Sequence, residues 1–174
     1  MPTDDTTPTA PRADDPRWLD DEEQAAWRTF IYSVNALLAA LSDALESDPT
    51  IDLALGEYEI LVRLSESENR TLRMSELADL VVHSRSRLTH TVTRLEKRGL
   101  VQRVRCAADG RGREATLTPE GMRLLEHAAP VHVASVRALL LDPVGRPDFL
   151  ELGRILRAVV PGTGTDASKV PLVP

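Results

Sequence analysis

The chain has one cysteine, Cys106, and only two each of Trp, Tyr and Phe among its 174 residues. A single cysteine excludes an intrachain disulfide and any cysteine-based zinc cluster. With so few rings, the core must be built from Leu, Val, Ile and Ala. No uninterrupted apolar run reaches the roughly 18 residues of a membrane span. The opening MPTDDTTPTAPRADDP is acidic and has no apolar stretch of the secretory type. Paired nucleophile and base, P-loop, metal signature and dinucleotide fingerprint are all missing. His127 and His132 stand five apart with no further ligands in view, and the close acids Glu57 and Glu59 read as part of an ordinary acidic helix. These absences point away from an enzyme, a metal site, a cofactor and a membrane, and toward a cytoplasmic protein that works by binding.

What is present is helical periodicity between two polar ends. Residues 1–17, rich in Pro, Thr and Asp, and residues 161–174 read as flexible tails. From about Asp21 to Ser47, Trp27, Ile31, Val34, Leu38, Leu41 and Leu45 recur at spacings of four and three, a heptad-like seam. A helix of that length spans about 40 Å, more than a small domain needs, so a second subunit is expected to cover part of it. A shorter helix follows Gly56, then a very short strand around Leu72. A helix capped by Ser75 comes next, and then a helix over 85–98 closed by Gly99. Two β-type runs, 100–106 and 114–117, flank the turn AADGRGR and form a hairpin. Thr118 caps, and Pro119 begins, a long helix that Pro130 should bend. The chain breaks at DPVGRP, and a last helix carries Phe149, Leu152 and Leu156. The expected class is mainly α with a minor β component. Its expected segments are 18–50, 51–118 and 119–160.

Charge is distributed unevenly. The whole chain carries a formal net charge of -6, yet residues 70–113 hold 11 basic and 4 acidic side chains. Surface potential acts locally and is screened within about 10 Å, so this island says more than the total. On a helical wheel of residues 85–98, Leu88, Val92 and Leu95 share one face. Roughly opposite lie Ser86, His90, Thr93 and Lys97, flanked by Arg87, Arg94 and Arg98. One face packs; the other offers cations and short hydrogen-bonding groups, the combination that binds phosphate and reads base edges in a major groove. A short helix, a tight break near Ser84 and this cationic helix make a helix-turn-helix. The hairpin after it, with Arg111 and Arg113 near its tip, has the layout of a wing able to enter a minor groove. Contact residues expected on double-stranded DNA are Ser84, Arg85, Ser86, Arg87, Thr89, His90, Thr93, Arg94, Lys97, Arg111 and Arg113. A basic face docking an acidic protein partner is the alternative.

The stretch SELADLVVHSRSRLTHTVTRLEKRGLVQRV, followed by Asp109, Arg111 and the pair Leu117–Thr118, resembles the MarR family of winged-helix transcription regulators over about residues 20–160. The resemblance implies a homodimer whose first and last helices interlock, with interface residues Ile31, Val34, Leu38, Leu41, Phe149, Leu152 and Leu156. It implies a pseudo-palindromic operator, Arg111 at the wing tip and Asp109 supporting the wing arginines. Gly110 departs from the family pattern, where a charged residue is frequent. The resemblance also implies repression relieved by a small aromatic or phenolic effector, bound between the dimer helices and the winged helix. The residues here that suit it are Trp18, Trp27, Arg28, Phe30 and Tyr58. Some relatives sense peroxide through a cysteine of the first helix, where this chain has none. Cys106 shares a strand face with Val104 and is expected to be a small buried apolar group.

Overall fold

A computed structural model describes residues 16–81, 85–105 and 112–159, excepting the side chain of Arg85. The expected tails, the turn at Ser84, and Cys106, Asp109, Gly110 and Arg111 lie outside the described residues.

The first helix, α1, is Asp21–Glu46. It starts with a reciprocal cap: the Glu23 N–H donates to the Asp20 carboxylate at 2.8 Å, and the Asp20 N–H donates to Glu23 at 3.0 Å. Asp21, Glu22 and Glu23 in its first turn complement the helix dipole. The chain divides into two compact units inside this helix, Met1–Asn35 and Ala36–Pro174. In the first unit Trp18, Trp27, Phe30, Ile31 and Val34 are exposed. Trp27 and Phe30 stack, with ring centroids 6.1 Å apart. In the second unit the same seam continues with Leu38 exposed, then turns inward at Leu41 and Leu45.

Everything else belongs to the second unit. Helix α2 (Leu55–Glu66) is its central column, with Tyr58, Ile60, Leu61 and Leu64 all buried. Asn69 and Arg70 adopt positive φ in the turn that leads to strand β1 (Thr71–Arg73). Helix α3 (Met74–Leu80) follows directly. Ser75, expected as its cap, sits inside the first turn. Arg73 is still extended and occupies the cap position, and its N–H is held by the Glu76 carboxylate at 3.1 Å. Helix α4 (Arg85–Lys97) ends in a full Schellman arrangement. Gly99 stands at φ 73°, its N–H donates to the Glu96 carbonyl, and the Leu100 N–H donates to the Leu95 carbonyl, each at 3.0 Å. Strands β2 (Val101–Arg105) and β3 (Arg113–Leu117) complete an antiparallel sheet of order β1-β3-β2.

Thr118 accepts from the Gly121 N–H at 3.0 Å and so caps α5 (Pro119–Val136), with Pro119 at its start. Pro130 does not end this helix. The chain stays helical through a π-type turn at Arg137–Leu141 and a short α6 (Asp142–Val144), and breaks at Gly145, φ 85°. Helix α7 is Arg146–Arg157. The continuous stretch Pro119–Val144 is long and apolar enough by length and composition alone to cross a membrane. Charged residues interrupt it in sequence, and Gly121, Leu125 and Ala128 are buried within the protein's own core.

Gly121 sits where α5 crosses the end of α4: a Cβ there would lie 2.2 Å from the Leu100 carbonyl oxygen. Gly121→Ala is therefore expected to destabilise the chain by about 1–3 kcal/mol, the usual penalty of overpacking against backbone. Urea denaturation checks this, and an unchanged midpoint would contradict the close approach.

Candidate nucleic-acid interface

The orientation of α4 follows from its apolar spacing. Leu88, Val92 and Leu95 are fully buried, packed with α2 and the sheet. That leaves Ser86, Arg87, Thr89, His90, Arg94 and Lys97 exposed and Thr93 partly so. The Thr93 hydroxyl donates to the Thr89 carbonyl at 2.7 Å, so its methyl is the group left to offer a base, as a thymine contact requires. The described surface of α4 thus presents two arginines, a lysine and a histidine with no acid among them, while Glu96 lies to the side facing the hairpin.

Beneath this face is a charged network that the sequence did not announce. Glu57, read as part of an ordinary acidic helix, is 2% exposed. Its Oε1 accepts from Arg94 Nε at 2.5 Å, its Oε2 accepts from the Ala54 N–H at 3.1 Å, and Arg98 lies 3.9 Å away. The Arg98 guanidinium also donates to the carbonyls of Asp52 (2.6 Å) and Ile51 (3.1 Å). The hydrogen bond that Arg94 donates to Glu57 holds the Arg94 pKa above its ordinary value. Arg94, expected as a DNA contact, is exposed but already committed on one nitrogen. A buried carboxylate without partners is costly to desolvate, which explains why two arginines converge on it.

The hairpin is fastened to α4 by a second pair. Arg103 Nε and its terminal nitrogen donate to Glu96 Oε2 at 2.9 and 2.5 Å. Farther out, Arg105 and Arg113 are exposed and directly opposite each other in the β2–β3 register. Like charges across a strand pair are unfavourable; a phosphate placed near them would relieve the repulsion. Val104 is 45% exposed; Cys106, expected to share its strand face, lies outside the described residues.

The residues expected to bind an effector do not form one described group. Trp18 (82% exposed), Trp27, Arg28 and Phe30 belong to the first unit, where Arg28 bonds Gln24 at 3.1 Å. Tyr58 belongs to the second and lines a cleft of about 360 Å³ with Leu38, Leu41, Val62, Arg63 and His132. Its ring lies 4.5 Å from that of His132. Burial lowers the His132 pKa, and its Nδ1 and the Nε of Arg63 are buried without a hydrogen-bond partner among the described residues. His127 goes elsewhere, to the Thr50 hydroxyl at 2.8 Å. Of the expected interface residues, Ile31, Val34, Leu38 and Leu156 are exposed and Phe149 and Leu152 partly so. Leu41 is 7% exposed, already packed within its own chain, and leaves little for a partner.

The MarR family sequence profile matches residues 53–112, the segment that carries α2, the helix pair and the first strand of the hairpin. Sco3205, a MarR family transcriptional regulator from Streptomyces coelicolor solved in complex with DNA, is 43% identical. The match covers 86% of this chain and 92% of that one, with a TM-score of 0.80. The chain belongs to the MarR family. AbsC, another MarR family regulator from Streptomyces coelicolor, is 40% identical over 87% of this chain and all of that one, at a TM-score of 0.79. The organohalide-sensing regulator RdhR-CbdbA1625 in its 2,4-dichlorophenol-bound form shares the fold at 16% identity and a TM-score of 0.72, covering 89% of this chain and 90% of that one. No curated protein matches the chain. The protein is thus a DNA-binding transcriptional regulator with a winged-helix fold, and not an enzyme.

Within this MarR chain, the wing attachment has a pH signature. The hydrogen bond from Arg103 holds the Glu96 pKa below its ordinary value of 4.5. A carboxyl whose pKa is depressed by folding adds stability above its unfolded value and loses it as pH falls through the folded one. Carboxyl NMR should show Glu96 titrating below pH 4.5, and Arg103→Ala should move it up toward that value. A Glu96 titration unaffected by Arg103→Ala would remove the pair from the account.

Proposed function

We propose that the protein is a cytoplasmic homodimeric repressor that binds a pseudo-palindromic operator and is released by a small phenolic or aromatic effector. The observation that carries the DNA-reading part is the cationic outer face of α4, left exposed by complete burial of Leu88, Val92 and Leu95. In this reading Ser84, Arg85, Ser86, Arg87, Thr89, His90 and Thr93 meet base edges and nearby phosphates in the major groove. Lys97 and the outward nitrogens of Arg94 meet phosphate, and Arg111 and Arg113 reach the minor groove with Asp109 steadying the wing. Segments 18–50 and 119–160 supply the dimer contacts, and 51–118 reads DNA. Exposed apolar side chains on α1 (Ile31, Val34, Leu38) and α7 (Leu150, Ile155, Leu156) support a covering partner of the same kind. Two reading helices then address half-sites about one helical turn apart.

On an operator duplex selected from a random-sequence pool, two chains should bind per site, and affinity should fall steeply with salt as counterions are released. Arg87→Ala should weaken operator binding by about tenfold or more, the usual loss of a base-reading arginine. Unchanged affinity in a fluorescence-anisotropy titration would rule out α4 as the reading helix.

The cleft at Tyr58 supports the effector part. It is walled by Leu38, Leu41, Val62 and Val136, and its size suits one substituted ring. His132, kept neutral by burial, and the Arg63 Nε–H offer an acceptor and a donor without partners among the described residues. Glu59 and Glu66 at its edge disfavour a multiply charged anion, so a phenol fits better than a dicarboxylate. A chlorophenol series should raise the melting temperature and release the operator, and Val62→Trp, which fills the cleft, should abolish both effects. A full response from that variant would place the effector elsewhere.

A further inference from the structure

We propose that Glu57 is a positioning residue for sequence recognition. Its buried carboxylate on α2 holds Arg94 and Arg98, and so sets the roll and height at which α4 presents Ser86, Arg87, Thr89 and His90 to a duplex. The inference rests on the reading of α4 as the DNA-reading helix and extends it to a residue that touches no DNA.

The apolar seam of α4 cannot do this alone. Contacts through Leu88, Val92 and Leu95 are non-directional, and a helix can roll or slide on them with little change in buried area. Charge-assisted hydrogen bonds are short and directional. Glu57 uses both oxygens: Oε1 takes Arg94 Nε at 2.5 Å, and Oε2 takes the Ala54 N–H at 3.1 Å with Arg98 3.9 Å away. Arg98 extends the clamp to the backbone ahead of α2 through the carbonyls of Ile51 and Asp52, where Asp52 is held at φ 47°. The last turn of α4 is therefore pinned to the start of α2, while its first two turns carry the outward groups of the interface.

Electrostatics distinguishes this role from simple structural support. The Arg94 side chain is 60% exposed, yet its charge is balanced by the carboxylate below it. If that carboxylate is neutralised, Arg94 gains freedom and net charge at the phosphate-facing surface. Phosphate contacts carry no sequence information. Loss of the clamp should therefore weaken operator binding while sparing or strengthening binding to random DNA. Plain destabilisation would lower both together.

Glu57→Gln keeps the side-chain volume and an oxygen for the Ala54 N–H but removes the charge. With folding verified by circular dichroism and thermal melting, it is expected to lower the ratio of operator to random-duplex affinity about tenfold. It should also steepen the salt dependence on random DNA by about one counterion as Arg94 is released. Glu57→Asp, which retains the charge, should recover part of the ratio. In an Arg94→Gln background the further effect of Glu57→Gln should shrink, because both act through one contact. Arg98→Gln alone serves if Glu57→Gln folds poorly: it removes the clamp partner that is not among the proposed DNA contacts, and it should lower the ratio. A preserved ratio in a folded Glu57→Gln or Arg98→Gln protein, a parallel fall on both duplexes included, overturns the proposal. If Arg87→Ala also leaves operator binding intact, the reading of α4 fails instead; if Arg87→Ala weakens it and Glu57→Gln does not, only the clamp fails.

Discussion

Burial of Leu88, Val92 and Leu95 decides which way α4 faces, and most of the interface follows from that choice. Each of the three contributes roughly 1.5–3 kcal/mol by leaving water, so a roll large enough to expose them would remove a large share of a typical domain's stability. The remaining positions are assigned by geometry: a helix that hides one stripe must show the opposite one. Here the shown stripe bears cations and small hydrogen-bonding groups, and the apolar stripe is continuous with the core built around α2. The same constraint places the hairpin, because the Schellman turn at Gly99 sends the chain from the end of α4 straight into β2.

Much of this was legible in the sequence because it depends on periodicity and local chemistry. The spacing of Leu88, Val92 and Leu95, Gly99 at positive φ, Thr118 and Pro119 opening α5, and the two short strands are local signals, and all appear where the residues put them. The parts that were not legible depend on what lies across the fold. An acid in an amphipathic helix gives no sign that two arginines some forty residues away will bury it, and Glu57 reads only as part of an ordinary acidic helix. The heptad seam of α1 looks uniform along the chain, but Leu38 is 48% exposed while Leu41 packs inward. Val104 alternates correctly for a buried strand face, yet it is exposed among the described residues. The cap of α3 falls to Arg73 because the helix begins at Met74, two residues earlier than a cap at Ser75 would allow, and strand β1 stops at Arg73.

The interface is also under internal tension. Glu57 and Glu96 each pair with arginines at the flanks of α4, whereas Arg105 and Arg113 stand opposite each other at the outer end of the described hairpin. Opposite charges meet where the winged helix holds its shape, and like charges are brought together where an anion would be welcome. That division agrees with a surface built for a polyanion, and it explains how an acidic chain with a net charge of -6 can still carry one strongly basic side.

The Thr118 hydroxyl joins two elements at one point. It donates to the Gly99 carbonyl at 2.7 Å and accepts from the first turn of α5, so the end of α4 and the beginning of α5 share a hinge pin. From there α5 runs fourteen residues, about 20 Å, to His132 in the wall of the Tyr58 cleft. One helix thus links the wall of the Tyr58 cleft to the end of α4, and Thr118 is the residue through which that link is made.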